Sequence, residues 1–189
     1  MGRTETTTRA AIVLIAALFL AACAGKTTVK SNLHIKGAPS WVNKGTNTLN
    51  DKNGRLFHGV GIAPDVGDIS LQKDTADNRA RAEVARILSS YMEVVSKDYS
   101  TASDVDGQRI SEQEVSREIN NVTRTNLSGA KIIGRWRHKK SMTMYSLAEL
   151  DVRHVKQTVK TFRDMNDGLR DYIEQNADVV FDKFSEQSR

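Results

Sequence analysis

Two glycines in one short strand constrain this chain more than any other feature. Leu56-Phe57-His58-Gly59-Val60-Gly61-Ile62-Ala63 is apolar and bounded by turn residues, which reads as a β-strand over 56–63. Side chains alternate between the faces of a strand. Leu56, His58, Val60 and Ile62 therefore share one face, and Phe57, Gly59, Gly61 and Ala63 the other. The second face is nearly bare beyond Phe57, and glycines inside a strand mark a place where another element comes close. After a turn at 64–70, Ala76, Ala80, Val84, Leu88, Tyr91, Met92 and Val95 recur at steps of three and four, which predicts a helix over 71–97. Its early alanines allow close approach to a glycine-bearing strand, so the two segments agree. A nucleotide-binding loop also uses Gly-x-Gly, but its third glycine would fall at Pro64 and no acidic residue is placed for a ribose. His58 has no Cys or second His at metal spacing and reads as a strand histidine.

The remaining segments fill out a small domain. Residues 45–54, with Asn47, Asn50, Asp51, Asn53 and Gly54, read as a loop. Ser103-Asp104-Val105-Asp106-Gly107 reads as a turn; its spaced acids lack the closing glutamate of a calcium loop. Ser111 opens a helix with Glu114 as its capping box and Val115, Ile119 and Val122 as its stripe, ended by Ser128-Gly129. Segments 131–138 and 141–151 form a hairpin around Lys139-Lys140. Ile132, Trp136, Met142, Met144, Ala148 and Leu150 are expected towards the core, and Lys131, Arg135 and Arg137 outward. This basic patch reads as a strand edge guarded by charge. Its functional alternative is contact of Arg135, Arg137, Lys139 and Lys140 with anionic lipid or cell-wall polymer.

From Val152 a helical pattern runs through Val155, Val159, Phe162, Leu169, Ile173, Val180 and Phe184, with a weak point at Asn166-Asp167-Gly168. The fold class is α+β: a small mixed or antiparallel sheet packed by helices, with a long C-terminal amphipathic helix. Val155, Val159 and Phe162 claim area on the sheet. The stripe of Leu169, Ile173, Val180 and Phe184 is then left over and is expected to pack on a neighbouring subunit of a homo-oligomer. Folding back onto its own domain is the other outcome.

The chain opens with an apolar run at 10–20 behind Arg3 and Arg9, ending in Leu20-Ala21-Ala22-Cys23. The run is shorter than the roughly 20 residues that cross a bilayer and reads as a secretory signal. Leu-Ala-Ala-Cys resembles the bacterial lipobox. The resemblance implies cleavage between Ala22 and Cys23, a diacylglyceryl group on the Cys23 thiol and an acyl chain, such as palmitate, on its amino group. Cys23 is the one cysteine, so it has no disulfide partner within the chain. Ala24, where lipoproteins kept in the inner membrane commonly carry Asp, implies sorting to the outer membrane, on its periplasmic face. Residues 1–22 are thus a signal peptide and 23–37 a lipidated tether. Residues 38–151 form an α+β domain, and 152–189 the C-terminal helix. Pro39 and Trp41 end the tether, with Trp41 read as the plug where the chain meets the domain or, alternatively, as a ligand-stacking ring. The formal net charge of +5 becomes +4 once Arg3, Glu5 and Arg9 leave with the signal. That is too balanced for a nucleic-acid binder. No Ser/His/Asp, Cys/His or metal-ligand spacing appears, so no catalytic residues, no metal and no cofactor beyond the covalent lipid are expected.

The order of the motifs carries a resemblance. Ala38-Pro39-Ser40-Trp41-Val42 leads to the Gly-x-Gly strand, then to Ala80-Arg81-Ala82-Glu83-Val84-Ala85-Arg86-Ile87-Leu88, and a hairpin ends in Tyr145-Ser146-Leu147-Ala148-Glu149-Leu150-Asp151. Behind a lipobox, this resembles the LPP-twenty family of bacterial outer-membrane lipoproteins over about 39–151. The resemblance implies a small α+β domain without known catalytic residues. It also implies a structural role, as in lipoproteins that build the flagellar disk beneath the outer membrane, or an adaptor role, as in lipoprotein activators of cell-wall synthases. Flagellar or cell-wall proteins are the partners it implies.

Overall fold

A computed structural model of the chain describes residues 34–106, 111–163 and 165–187. In order these form α1 (Ser40–Lys44), β1 (Asn47–Asp51), β2 (Gly54–Ala63), α2 (Ile69–Asp106), α3 (Glu112–Asn126), β3 (Lys131–Arg137), β4 (Met144–Asp151), α4 (Val152–Thr161) and α5 (Asp167–Gln187). The strands make one antiparallel sheet in the order β1-β2-β4-β3, giving the expected α+β class.

Helix α2 crosses the face of β2 that carries the glycines. A Cβ on Gly59 would sit 2.7 Å from the Val84 amide nitrogen, and one on Gly61 would run into the Ala76 carbonyl and the Ala80 amide. The strand–helix match read from the sequence therefore holds atom by atom. The helix is longer than expected. It runs without a break through 103–106, part of the expected turn, and spans 38 residues. At 1.5 Å per residue that is about 57 Å, against roughly 33 Å for the ten-residue β2. The excess overhangs the sheet. Leu88, Tyr91, Met92, Val95 and Tyr99 are buried along this part of the helix, in the same core as Val115, Ile119 and Val122 of α3. Ser111 caps α3 as expected, its hydroxyl accepting the Glu114 N–H at 3.2 Å.

The segment expected as one helix over 152–189 is two. Asp151 caps α4 by accepting the Arg153 N–H at 2.8 Å. The chain then leaves helical geometry at Phe162 and restarts at Asp167. Asn166 caps α5, its side chain accepting the Leu169 N–H at 3.1 Å, and its own N–H is held by the Glu118 carboxylate at 3.2 Å. Arg170 donates to the Phe162 and Met165 carbonyls at 2.8 and 2.9 Å and so staples the corner.

Residues 45–54, read as a loop, contain β1 and a tight hairpin. The polar composition is that of an edge strand: Thr48 pairs with Phe57 and Leu49 with Leu56, while Asn50 and Asp51 stay exposed. Asp51 accepts the Asn53 N–H at 2.7 Å, and Gly54 takes the positive φ of 126° that closes the turn. On the sheet face away from α2, the half-buried Trp41 of α1 lies over Gly134.

Candidate interaction surfaces

A bulge decides what the basic hairpin presents. Lys131 pairs with Glu149 and Ile132 with Ala148, but the next partner of β4, Leu147, faces Gly134, leaving Ile133 as an extra residue. One extra residue flips every later side chain to the other face. Trp136, expected towards the core, lies opposite Tyr145 on the outer face, with ring centroids 5.5 Å apart. Arg135, expected outward, faces α2. It forks onto Asp77 at 2.8 and 2.7 Å, and the Ser146 hydroxyl donates to the same carboxylate at 2.7 Å. Burial, the largest single influence on Asp77, pushes its pKa up. The hydrogen bonds from Arg135 and Ser146 outweigh it and hold the carboxyl below the usual range. Arg137 pairs with Asp65 at 3.3 Å and donates to the Met142 carbonyl at 3.0 Å. Of the four basic residues expected to meet an anionic surface, the two arginines thus tie the hairpin to α2 and the turn before it. Lys139 and Lys140 are exposed at the tip and form no ion pair among the described residues.

The apolar stripe of α5 also ends up elsewhere than expected. Leu169, Ile173 and Val180 are buried in the domain's own core, and Phe184 packs half-buried on Tyr91 at 5.9 Å. They are not left over for a neighbouring subunit. The overhang of α2 and the buried valines of α4 cover them. Phe181, which the stripe omitted, is the residue that locks them in place, 5.0 Å from Phe57. Its signal in the sequence was its position one turn after Ala177.

Beside the free edge of β1 there is a cleft of about 360 Å³, lined by residues 46–48, by Arg86, Ile87 and Ser90 of α2, and by Phe184. The Thr48 hydroxyl at this edge is buried and has no hydrogen-bond partner among the described residues. Arg86 is largely exposed and reaches Glu83 at 3.2 Å. A strand edge with no neighbouring strand among the described residues, a buried hydroxyl and a guanidinium are groups that an extended peptide with a carboxylate could satisfy. Reading 45–54 as a loop concealed this cleft.

On the outer face, His58 lies between Glu149, 2.9 Å from Nε2, and Asn47, 3.2 Å from Nδ1. Among the described residues no group of three His, Cys, Asp or Glu side chains is placed to hold a metal. Where β2 turns into α2, Ile62, Val66, Ile69 and Leu71 are 43–60% exposed. Ala22, Cys23 and the tether up to residue 33 lie outside the described residues. No described helix is long and apolar enough to cross a membrane. No protein-family model matches the chain, and no curated protein matches it.

Proposed function

We propose that this is a periplasmic lipoprotein, anchored in the outer membrane through Cys23, with an architectural role as a building block of an envelope-associated ring or disk, in the manner of flagellar disk lipoproteins. The observation that carries the anchor is Leu20-Ala21-Ala22-Cys23 behind the apolar run at 10–20. The architectural part rests on the LPP-twenty resemblance, and the charged pairs within the domain are used in its own fold. Asp77 with Arg135 joins sheet to helix, and Arg55 with Asp182, at 2.8 Å, joins β2 to α5. Contacts between copies would have to use the strand edges or exposed apolar residues, because the α5 stripe is closed.

The cleft beside β1 favours a second reading, an adaptor or activator that holds a peptide of a periplasmic cell-wall synthase. Acyl labelling tests the anchor: Cys23→Ser should abolish it, and undiminished labelling would place the lipid elsewhere. A deletion strain separates the two roles. Lost motility with a missing disk is the expected result; normal swimming with altered sensitivity to cell-wall inhibitors would favour the adaptor.

A further inference from the structure

We propose that the end of the domain where β2 turns into α2 rests on a phospholipid surface. Ile62, Val66, Ile69 and Leu71 enter the headgroup region there, and Lys139 and Lys140 lie against its phosphates. The setting comes from the lipid-anchored reading above; the test does not depend on it. Six large apolar side chains are exposed among the described residues, and four of them are these, within the segment 62–71. Scattered exposed apolar residues need no explanation, whereas a concentration of them in one short segment points to a contact.

The segment is built as one rigid piece with the hairpin tip. Asp68 caps α2, accepting the Ser70 and Leu71 N–H groups at 2.8 and 3.1 Å. The buried Gln72 amide donates to the Ala63 and Met142 carbonyls at 3.2 and 2.7 Å, and Arg137 ties Asp65 to the tip. With Asp65 and Asp68 so engaged, Lys139 and Lys140 are exposed at the tip and form no ion pair among the described residues. Ile62 faces Tyr145, and Tyr145 faces Trp136, so an aliphatic–Tyr–Trp row crosses the outer face at this end. Aliphatic residues flanked by Tyr, Trp and Lys suit the boundary between acyl chains and headgroups.

The entry of the chain agrees. Trp41 lies over Gly134, which shares the outer face with Trp136, so the chain joins the domain on that side. Residues 23–33 reach about 36 Å at most when fully extended, at roughly 3.3 Å each, so a domain on this tether stays close to its membrane. Lys139 and Lys140 add positive charge beside the apolar residues, and a phosphate surface complements that charge.

The test uses the mature chain from residue 23 with Cys23→Ser, which carries no lipid. It should co-sediment with vesicles of phosphatidylethanolamine and phosphatidylglycerol. Val66→Asp with Ile69→Asp should weaken the association at least about tenfold. Lys139→Glu with Lys140→Glu should weaken it by about the same factor and abolish its salt dependence. In a Trp41→Phe background, brominated phospholipid should quench Trp136, and this measurement leaves the apolar patch intact. Failure to co-sediment, undiminished binding by the Val66/Ile69 double variant, or unquenched Trp136 would each overturn the proposal. So would a solution oligomer that the same double variant dissociates, because the patch would then belong to a second copy. Acyl labelling decides the anchor and vesicle sedimentation decides the surface, so failure of one is not failure of the other.

Discussion

The two faces of β2 run against their own hydrophobicity. The outer face carries Leu56, His58, Val60 and Ile62, the helix face Phe57, Gly59, Gly61 and Ala63. By side-chain content the outer face is the more apolar of the two. Yet all four residues of the helix face are buried, while the outer face opens from a buried Leu56, through half-buried His58 and Val60, to an exposed Ile62. What comes near decides burial, and glycine lets a helix backbone come nearer than any apolar side chain would. Apolar content alone ranks the faces the wrong way round.

The sharpest way to break this comparison is to put a side chain where the helix lies. Gly61→Val should cost upward of about 4 kcal/mol, because the atoms in its way are backbone rather than flexible side chain. Val60→Ala, one residue away on the outer face, should cost about 1 kcal/mol. Urea denaturation followed by circular dichroism measures both, and equal midpoints for the two variants would end the argument. Next in size is Ile173→Ala, expected to cost about 2–5 kcal/mol as a cavity in the closed core. Light scattering should find its molecular mass unchanged. A fall in mass at unchanged stability would return the α5 stripe to a neighbouring subunit.

Asp77→Asn is a smaller perturbation of the helix face, about 1–3 kcal/mol, since the half-exposed Arg135 it abandons can turn to water. It should also flatten the acid limb of the stability profile. Asp77 is held below the ordinary aspartate pKa, and so is Asp182, chiefly by the hydrogen bond from Arg55. Their stabilisation is therefore full above the unfolded value of about 3.9 and is lost as the pH falls through the lower folded values. Denaturation midpoints taken down to about pH 3 should fall less steeply for Asp77→Asn than for the unmodified chain. Smallest of all is Ile62→Thr on the open end of the outer face, within about 0.5 kcal/mol.

How much of this was legible in the sequence depends on how local the cause was. The fit of Gly59 and Gly61 to Ala76 and Ala80 was readable because both halves are written as spacing within a few turns. The capping of α3 by Ser111 was readable for the same reason. The bulge at Ile133 was not, since no residue there is unusual for a strand, and the slip moved Trp136 and Arg135 to opposite faces. Strand β1 was hidden by its asparagines, which an edge strand tolerates and a loop favours. The apolar stripe of α5 was seen, but not its cover. That depended on the length of α2, whose far end carries both helical and strand-like residues.

The link between Arg55 and Asp182 joins residues 127 positions apart, and Asn50 reaches the same carboxylate across 132. Phe57 and Tyr91 likewise wait for Phe181 to complete their aromatic cluster. A chain made from the N-terminus therefore has β1, β2 and α2 in hand long before the helix that closes the core exists. Closing loops of that length costs entropy that shorter-range contacts avoid. The contacts between β2 and α2 are local and need no later segment, whereas the aromatic cluster is completed only when α5 is present. The last helix of the fold is thus the one that closes its core.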